Sequence, residues 1–259
     1  MSFVNNRKMK KVVLAYSGGL DTSYCVKYLS DELGLEVYTA LANTGGFSPG
    51  ELAAIEEKAY ALGATRHVTL DVTGEYYERC IRYMVYGNVT RNKTYPVSVS
   101  SERTFQALAI VRYAKEIGAD ALAHGSTGAG NDQVRFDLCF SVFAPEMEII
   151  TPTRDLRLSR EDEIAYLKAK GVERDWTKLA YSINKGLWGT SVGGRETLTS
   201  DQPLPEEAYP SPLQREGKEE LTLAFERGEL RAVNGTEYAD KVDAIRAVEA
   251  LAAPWAIGR

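Results

Sequence analysis

Short apolar runs alternate with amphipathic stretches along the N-terminal part of the chain. Five of these runs have the length and composition of buried strands: 12–16, 35–42, 67–72, 119–124 and 147–151. The segments between them repeat apolar residues at spacings of three and four, as in Leu52, Ile55, Ala59 and Leu62, which predicts helices. Strands that alternate with helices form parallel βαβ units, with helices on both faces of the sheet. The pattern therefore predicts an α/β fold with a doubly wound, parallel five-stranded sheet.

This alternation is interrupted once and then ends. Residues 87–102 are a polar stretch that predicts a long loop, and long loops in compact domains are often functional. Further along, four prolines within 201–212 predict an extended connector. Two apolar runs beside an Asn234-Gly235 turn then predict strands, followed by a last helix. We expect two domains, residues 1–170 with the parallel sheet and residues 171–259 as a partial α+β lobe.

Composition and charge narrow the class of protein. The net charge is −5, and an acidic surface argues against a dedicated nucleic-acid binder, which would carry a basic face. No stretch approaches the roughly 20 apolar residues that span a membrane, and the N-terminus lacks the apolar core of a signal peptide. The three cysteines, Cys25, Cys80 and Cys139, are far apart and form no metal-binding or redox motif. We expect a soluble, cytoplasmic protein with reduced cysteines and no nucleic-acid or membrane partner.

The first strand is followed directly by Ser-Gly-Gly-Leu-Asp-Thr-Ser, residues 17–23, here called the phosphate loop. Gly18 and Gly19 allow backbone N–H groups to approach an anion, and the N-terminus of the next helix favours the same negative charge. Asp21 would repel a bare phosphate, so a magnesium ion that bridges Asp21 to a nucleotide is expected. The string matches neither the Walker pattern nor GxGxxG, which disfavours γ-phosphoryl transfer and dinucleotide binding.

A second glycine-rich string, residues 124–136, follows the fourth predicted strand. Its glycines again bring the backbone close to a ligand, and Asn131, Asp132 and Arg135 project near the start of a predicted helix. Asparagine both donates and accepts hydrogen bonds, aspartate can hold an ammonium group, and arginine binds a carboxylate through two bonds. Together these three side chains suit a zwitterionic amino acid.

Both strings resemble motifs of one enzyme family. Ala15 to Ser23 is similar to the pyrophosphatase loop of the argininosuccinate synthases, and residues 124–136 are similar to the HGxTxxGNDxxRF motif of that family. The resemblance implies an adenine nucleotide α-hydrolase-like fold and an ATP- and Mg²⁺-dependent ligase of arginine biosynthesis. Citrulline and aspartate would be joined to argininosuccinate with release of AMP and pyrophosphate, and full-length members would be homotetramers.

The resemblance also implies a set of site residues. ATP contacts would come from Ala15, Tyr16, Ser17, Gly18, Gly19, Leu20, Asp21, Thr22, Ser23, Ala42, His124 and Gly125. Aspartate would be held by Thr127, Asn131 and Asp132. Citrulline would be held by Tyr95, Ser100, Asn131, Arg135, Ser182 and Ser191. The catalytic residues would be Asp132, which orients the aspartate amine, and Asp21, the metal ligand.

Three local departures from the family pattern indicate a divergent branch. Ala129 stands where relatives usually have lysine, Asn184-Lys185-Gly186 replaces an acidic run, and residues 101–104 lack the usual Leu-Ala-Arg-Pro. Family members also continue well beyond Arg259, so we expect a truncated member that binds ATP and turns over poorly. The alternatives are another ATP pyrophosphatase, either tRNA-thiolating or amide-forming, or an ATP-binding module without turnover.

Overall fold

The structure is a computed structural model that describes residues 11–128, 130–174, 181–199 and 201–258. The described residues fall into two compact units. The first unit takes its residues from 1–42, 48–70 and 103–174. The second takes its residues from 43–47, 71–102 and 175–259. Whether folding domains divide at residue 170 stays a prediction.

The order of elements follows the predicted alternation. The strands are β1 (Lys11–Ala15), β2 (Glu36–Asn43), β3 (Arg66–Asp71), β4 (Ala121–His124), β5 (Glu148–Ile150), β6 (Tyr181–Gly186), β7 (Gly189–Gly194), β8 (Leu223–Glu226), β9 (Glu229–Val233) and β10 (Thr236–Glu237). The helices are α1 (Leu20–Asp31), α2 (Pro49–Ala61), α3 (Thr73–Tyr76), α4 (Arg82–Tyr86), α5 (Ser98–Glu116), α6 (Asp132–Phe143), α7 (Pro152–Asp155), α8 (Arg160–Ala169) and α9 (Lys241–Ala252). A π-helical turn, Tyr77–Ile81, joins α3 to α4.

The sheet of the first unit has the order β3-β2-β1-β4-β5. Strand β1 pairs in parallel with β2 on one side and with β4 on the other, and β4 pairs in parallel with β5. The predicted doubly wound, five-stranded parallel sheet is therefore confirmed. Because β2 and β3 are laid down on one side of β1 and β4 and β5 on the other, the winding reverses between β1 and β4. This is the topological switch point of the sheet.

The core of the first unit packs α5 and α6 against the central strands. Fully buried Val13, Leu122 and Phe140 lie in one cluster with Ala107 and Ala114 of α5. Burial of such side chains contributes roughly 1.5–3 kcal/mol each for the larger residues. The small alanines let the helix approach the sheet closely. This packing holds the carboxyl ends of β1 and β4 in fixed register.

Local sequence signals set the ends of several helices. Helix α2 begins with a capping box, in which Ser48 and Glu51 bond each other's backbone N–H groups, and with Pro49 in its first turn. A second box, between Ser159 and Asp162, starts α8. Gly34, Gly63 and Gly171 follow the helix ends with positive φ angles, as C-terminal glycines do.

The second unit contains two antiparallel sheets, the β6-β7 hairpin and the sheet β10-β9-β8. The two strands predicted before Asn234-Gly235 are found as β8 and β9, with ends shifted by one or two residues, and the turn itself lies between β9 and β10. The β6-β7 hairpin was not predicted, because its sequence is too polar and glycine-rich to give an alternating pattern.

No helix in the described ranges is long and apolar enough to cross a membrane.

Candidate functional site

Two glycine-rich loops leave the sheet side by side at its switch point. Ala15 is the register partner of His124, so β1 and β4 end at the same level. The phosphate loop continues from β1 into α1. The glycine loop, residues 125–131, continues from β4 into α6. A Cβ on Gly125 would lie 3.0 Å from the carbonyl carbon of Asp21, which shows how closely the second loop packs on the start of α1.

The phosphate loop has the features of an anion cradle. Gly18 has a φ of +73°, and a Cβ there would lie 3.1 Å from Cγ1 of Ile55, so only glycine fits without strain. The first intrahelical bond of α1 runs from Ser23 N–H to the Gly19 carbonyl, so the N–H groups before it have no acceptor within the helix. The N-cap, Gly19, supplies no side chain to bond them. These donors and the helix dipole suit phosphate oxygens.

Hydroxyl groups lie along the same loop. Ser17 is exposed and its Oγ lies 3.4 Å from Oγ1 of Thr22, so two hydroxyls stand together at the loop surface. Ser23 is buried and donates to the Gly19 carbonyl at 2.5 Å. Ser23 therefore stabilises the turn from inside, whereas Ser17 and Thr22 are placed to meet a ligand.

Besides Ser23 and His124, four of the residues expected to contact ATP have buried side chains. Ala15, Tyr16, Leu20 and Ala42 are all less than one-tenth exposed. The Tyr16 ring packs edge-on against His67, with ring centroids 5.9 Å apart, and the backbone N–H of Tyr16 donates to the Ala40 carbonyl. Any contact of Tyr16 or Leu20 with a nucleotide would therefore come from the backbone.

Asp21 is half-buried in the first turn of α1, above a buried carboxyl group on α8. Burial and the nearby negative charge of Asp21 raise the pKa of Glu163 above its ordinary value. Oε1 of Glu163 accepts a hydrogen bond from Thr153 at 2.8 Å, and its Oε2 is buried without a hydrogen-bond partner among the described residues. The described residues hold no cluster of three or more potential metal-binding side chains. One carboxylate at a phosphate site nevertheless fits magnesium, which keeps few protein ligands and shares phosphate oxygens.

His124, at the end of β4, supports the glycine loop from below. It is 1% exposed, and its Nε2 lies 2.8 Å from Oδ1 of Asp137. Its Nδ1 accepts the N–H of Ser126 at 3.2 Å, so the proton is carried by Nε2. Burial lowers the pKa of His124 in spite of the bond to Asp137, which keeps the ring neutral near pH 7. His124 was expected to contact ATP, and the structure gives it hydrogen bonds within the protein.

Asp132 lies between two arginines. Arg135 donates to its Oδ1 at 2.6 Å, and Nε of Arg103 donates to its Oδ2 at 3.0 Å. Asp132 and Arg135 are half-buried, whereas Thr127 and Asn131 on the same loop are exposed. The loop presents an amide and a hydroxyl, and α5 and α6 beside it add a carboxylate and two guanidinium groups. This set can bind both the ammonium and the carboxylate ends of an amino acid.

The remaining expected citrulline residues lie in the second unit. Tyr95 accepts the Val99 N–H at 3.0 Å through its hydroxyl group. Ser100 was expected in a loop, but α5 already begins at Ser98, so Ser100 lies in its first turn and donates to the Val97 carbonyl. The prediction of one loop through residue 102 was wrong at its C-terminal end, because the hydroxyl groups of this serine-rich stretch bond the backbone of the helix start.

Ser182 and Ser191 lie on the β6-β7 hairpin. Ser191 is paired with Asn184 and Ser182 with Gly193, so both serines lie on one face of the hairpin at diagonal positions. The turn of the hairpin packs on the segment before α5. Trp188 Nε1 donates to the Pro96 carbonyl at 2.9 Å. The structure thus brings the hairpin next to the segment that carries Tyr95 and Ser100.

Several residues of this region were not singled out from the sequence. Arg103, Asp137, Arg154 and Glu163 each contact a predicted site residue or its partner. Arg103 belongs to the segment that departs from the family pattern. The other three carry no local motif. Ala129, the position where relatives usually have lysine, lies outside the described residues.

His67 and the three cysteines lie outside the phosphate loop and the glycine loop. His67 is buried in β3 and its Nδ1 lies 2.8 Å from the Thr39 hydroxyl. The three cysteines are free; Cys25 and Cys139 are buried and Cys80 is half-buried. Burial raises the pKa of Cys25, so its thiol is unreactive near pH 7.

Comparison with known proteins agrees with this geometry. A family model described as the arginosuccinate synthase N-terminal HUP domain matches residues 11–173. The argininosuccinate synthase of Methanocaldococcus jannaschii is 38% identical over 250 residues, which are 95% of this chain and 62% of that protein. That of Sulfolobus acidocaldarius is 36% identical over 242 residues, 93% of this chain and 60% of that protein. That of Synechococcus sp. is 38% identical over 258 residues, 97% of this chain and 64% of that protein.

The chain thus spans about three fifths of the length of the curated relatives it matches. The matched family model covers all five strands of the parallel sheet and both glycine-rich loops. The alignments with relatives extend past it and take in most of the second unit as well. On the strength of this match and of the two loops at its switch point, the chain belongs to the argininosuccinate synthase family.

Proposed function

We propose that this chain binds ATP at the phosphate loop and uses it to ligate citrulline and aspartate, giving argininosuccinate, AMP and pyrophosphate in arginine biosynthesis. The observation that carries the proposal is the position of the two glycine-rich loops at adjacent strand ends, where parallel sheets bind ligands. The first loop suits phosphates, and the second suits an amino acid. A reaction that joins an activated substrate to an amino acid needs both.

In the first step, the ureido oxygen of citrulline attacks the α-phosphorus of ATP. A new P–O bond forms, the bond between the α-phosphorus and the bridging oxygen breaks, and pyrophosphate leaves. The phosphate loop would hold the β- and γ-phosphates through N–H groups and hydroxyls, which stabilises the leaving group. Asp21 would hold magnesium, whose charge offsets that of the phosphates.

In the second step, the aspartate amine attacks the ureido carbon and AMP leaves with the former ureido oxygen. Thr127, Asn131 and Asp132 would hold aspartate, with Asp132 orienting the ammonium group before it loses a proton. Asn131, Arg135 and the hydroxyl groups of Tyr95, Ser100, Ser182 and Ser191 would hold citrulline. No covalent enzyme intermediate is needed, so catalysis rests on positioning and charge stabilisation.

Residues 1–170 would then form the nucleotide-binding domain and residues 171–259 would contribute to substrate binding. With this function we also propose a cytoplasmic location and assembly into a homotetramer. Light scattering on the purified chain tests the assembly.

The proposed function is tested by an omission series. Pyrophosphate release is measured with ATP and magnesium, with each amino acid alone and with both together. The proposal requires release that depends on citrulline and a final product that forms only with aspartate. Pyrophosphate release with neither amino acid would indicate another substrate. Binding of α,β-methylene-ATP without AMP formation under any condition would indicate a nucleotide-binding module.

A further inference from the structure

The side chain of Gln133 ties the glycine loop to α6. Its Nε2 donates to the Gly128 carbonyl at 2.7 Å and to the Gly130 carbonyl at 3.1 Å. Both bonds reach back from the first turn of α6 across residues 128–130. Glycine-rich backbone has many accessible conformations, so a loop with three glycines needs such ties to keep one shape.

Arg154, on α7, fixes the direction in which the Gln133 amide points. Its Nη1 lies 3.3 Å from Oε1 of Gln133 and 2.5 Å from Oδ2 of Asp137. A guanidinium group only donates hydrogen bonds, so the amide oxygen of Gln133 must face Arg154. The amide NH₂ group then has to face the loop carbonyls. Without Arg154 the amide oxygen of Gln133 loses the bond that anchors it on the side away from the loop, so the two bonds from its NH₂ group to the loop carbonyls weaken.

The same frame holds the other end of the loop. Asp137 accepts from Arg154 and from Nε2 of His124, and the opposite nitrogen of His124 accepts the Ser126 N–H. Burial alone would raise the pKa of Asp137, but the hydrogen bonds from His124 and Arg154 lower it, so this carboxylate stays charged. One connected set of hydrogen bonds therefore runs from Ser126 through the frame to Gly128 and Gly130.

We propose that Arg154 and Gln133 are a positioning pair that keeps the glycine loop in the shape that binds aspartate. The inference rests on the proposed function, which assigns aspartate to Thr127, Asn131 and Asp132 around this loop. Both side chains would act on the loop through these hydrogen bonds, and not on the substrate directly. Because they order the loop before the substrate binds, less conformational entropy of the loop is lost on binding.

Two substitutions separate the two halves of the pair. Arg154→Met keeps the aliphatic stem, whose Cγ lies 3.9 Å from where a Gly128 Cβ would be, and removes every donor. Gln133→Glu keeps an acceptor for Arg154 and removes the two donors to the loop. Arg157→Met is the matched control, because Arg157 is an exposed arginine three residues from Arg154.

Two readouts are compared across these variants. Hydrogen exchange of the peptide that covers residues 125–131 reports the order of the free loop without any substrate. Pyrophosphate release reports the KM for aspartate and for ATP. We expect faster loop exchange in Arg154→Met and Gln133→Glu, and a rise of at least about fivefold in the aspartate KM, the effect of one lost hydrogen bond. The KM for ATP and the behaviour of Arg157→Met should match the unsubstituted chain.

The double variant tests whether the two residues act as one unit. If Arg154 works through Gln133, the aspartate KM of the double variant should be about that of the single variant with the higher KM. Independent effects would instead multiply the two increases in KM. Loop exchange that is unchanged in both single variants overturns the proposal, with or without turnover. An equal loss for ATP and aspartate together with a lower melting temperature also overturns it, because the role would then be structural only. Absence of aspartate-dependent product in the unsubstituted chain refutes the proposed function instead, and the exchange data then decide whether the pair orders the loop.

Discussion

Replacing Gly18 by alanine tests whether the phosphate loop is an anion cradle. Gly18 has a φ of +73°, where a residue with a Cβ is strained by about 1–2 kcal/mol. The added Cβ would also lie 3.1 Å from Cγ1 of Ile55, closer than ordinary contact, and such overpacking costs about 1–3 kcal/mol. We expect a total loss of about 2–5 kcal/mol in the free energy of unfolding, from these two terms together.

Gly34 provides the matched control. It has a φ of +63°, but a Cβ there meets no atom within 4 Å, and it lies beyond the C-terminal end of α1. Gly34→Ala should therefore carry the backbone strain alone, about 1–2 kcal/mol. The difference between the two variants isolates the contact with Ile55. A chain of this size loses about 2–4 °C of melting temperature per kcal/mol, so thermal unfolding resolves the difference.

The two variants should differ far more in nucleotide binding. Relief of the strain at position 18 rotates the backbone and turns at least one N–H group away from the phosphates. A hydrogen bond to a charged group contributes about 1.5–3 kcal/mol, which corresponds to a roughly 10- to 100-fold weaker affinity. Gly34→Ala should bind as the unsubstituted chain does.

The assay is calorimetric titration with α,β-methylene-ATP and magnesium, an analogue that cannot be cleaved between the α- and β-phosphates. Both variants are titrated well below their melting temperatures, so that folded protein is compared with folded protein. Equal affinity of Gly18→Ala and Gly34→Ala would refute the cradle, whatever their stabilities.

Three other substitutions test separate parts of the site. The raised pKa of Glu163 lets the folded chain keep a proton that the unfolded chain releases above pH 4.5, so the free energy of unfolding should fall as the pH rises. Glu163→Gln should remove this fall, which urea unfolding at acidic and mildly alkaline pH measures. An equal change of the unfolding free energy with pH in both proteins would contradict the assignment. Gly125→Ala places a Cβ 3.0 Å from the Asp21 carbonyl carbon, so it should cost about 1–3 kcal/mol and weaken nucleotide binding; melting and binding curves that match the unsubstituted protein would disprove the close packing. Asp132→Asn should lower aspartate-dependent product formation by at least about 100-fold, as expected for a group that positions the attacking amine, with only about 1 kcal/mol of stability lost at this half-exposed position; full activity would remove Asp132 from the catalytic residues.

Local patterns were sufficient to predict the parallel sheet and both loops. The apolar run before Ser17 and the glycines after it are consecutive in sequence, so strand, turn and helix start could be inferred together. The capping box at Ser159 is equally local. Sheet order could be inferred only as a class, because the reversal between β1 and β4 depends on which strands pair.

Contacts between distant residues could not be predicted. Glu163 meets Asp21 across 142 positions in the chain, and no feature around Glu163 marks it as buried. Arg154 and Asp137 likewise lie in different helices and acquire their role only when β4 and β5 are paired. At Ser100 a local signal was misleading. The polar residues around it favoured a loop, but the serine hydroxyl groups donate hydrogen bonds to backbone carbonyls at the start of α5.

Transfer of the ureido oxygen tests the central claim most directly. Citrulline carrying oxygen-18 in its ureido group is incubated with the chain, ATP, magnesium and aspartate, and the AMP is analysed by mass spectrometry. If the citrulline oxygen attacks an α-phosphorus left open by the phosphate loop, each AMP formed carries one labelled oxygen. Unlabelled AMP, or ADP in its place, would contradict the account.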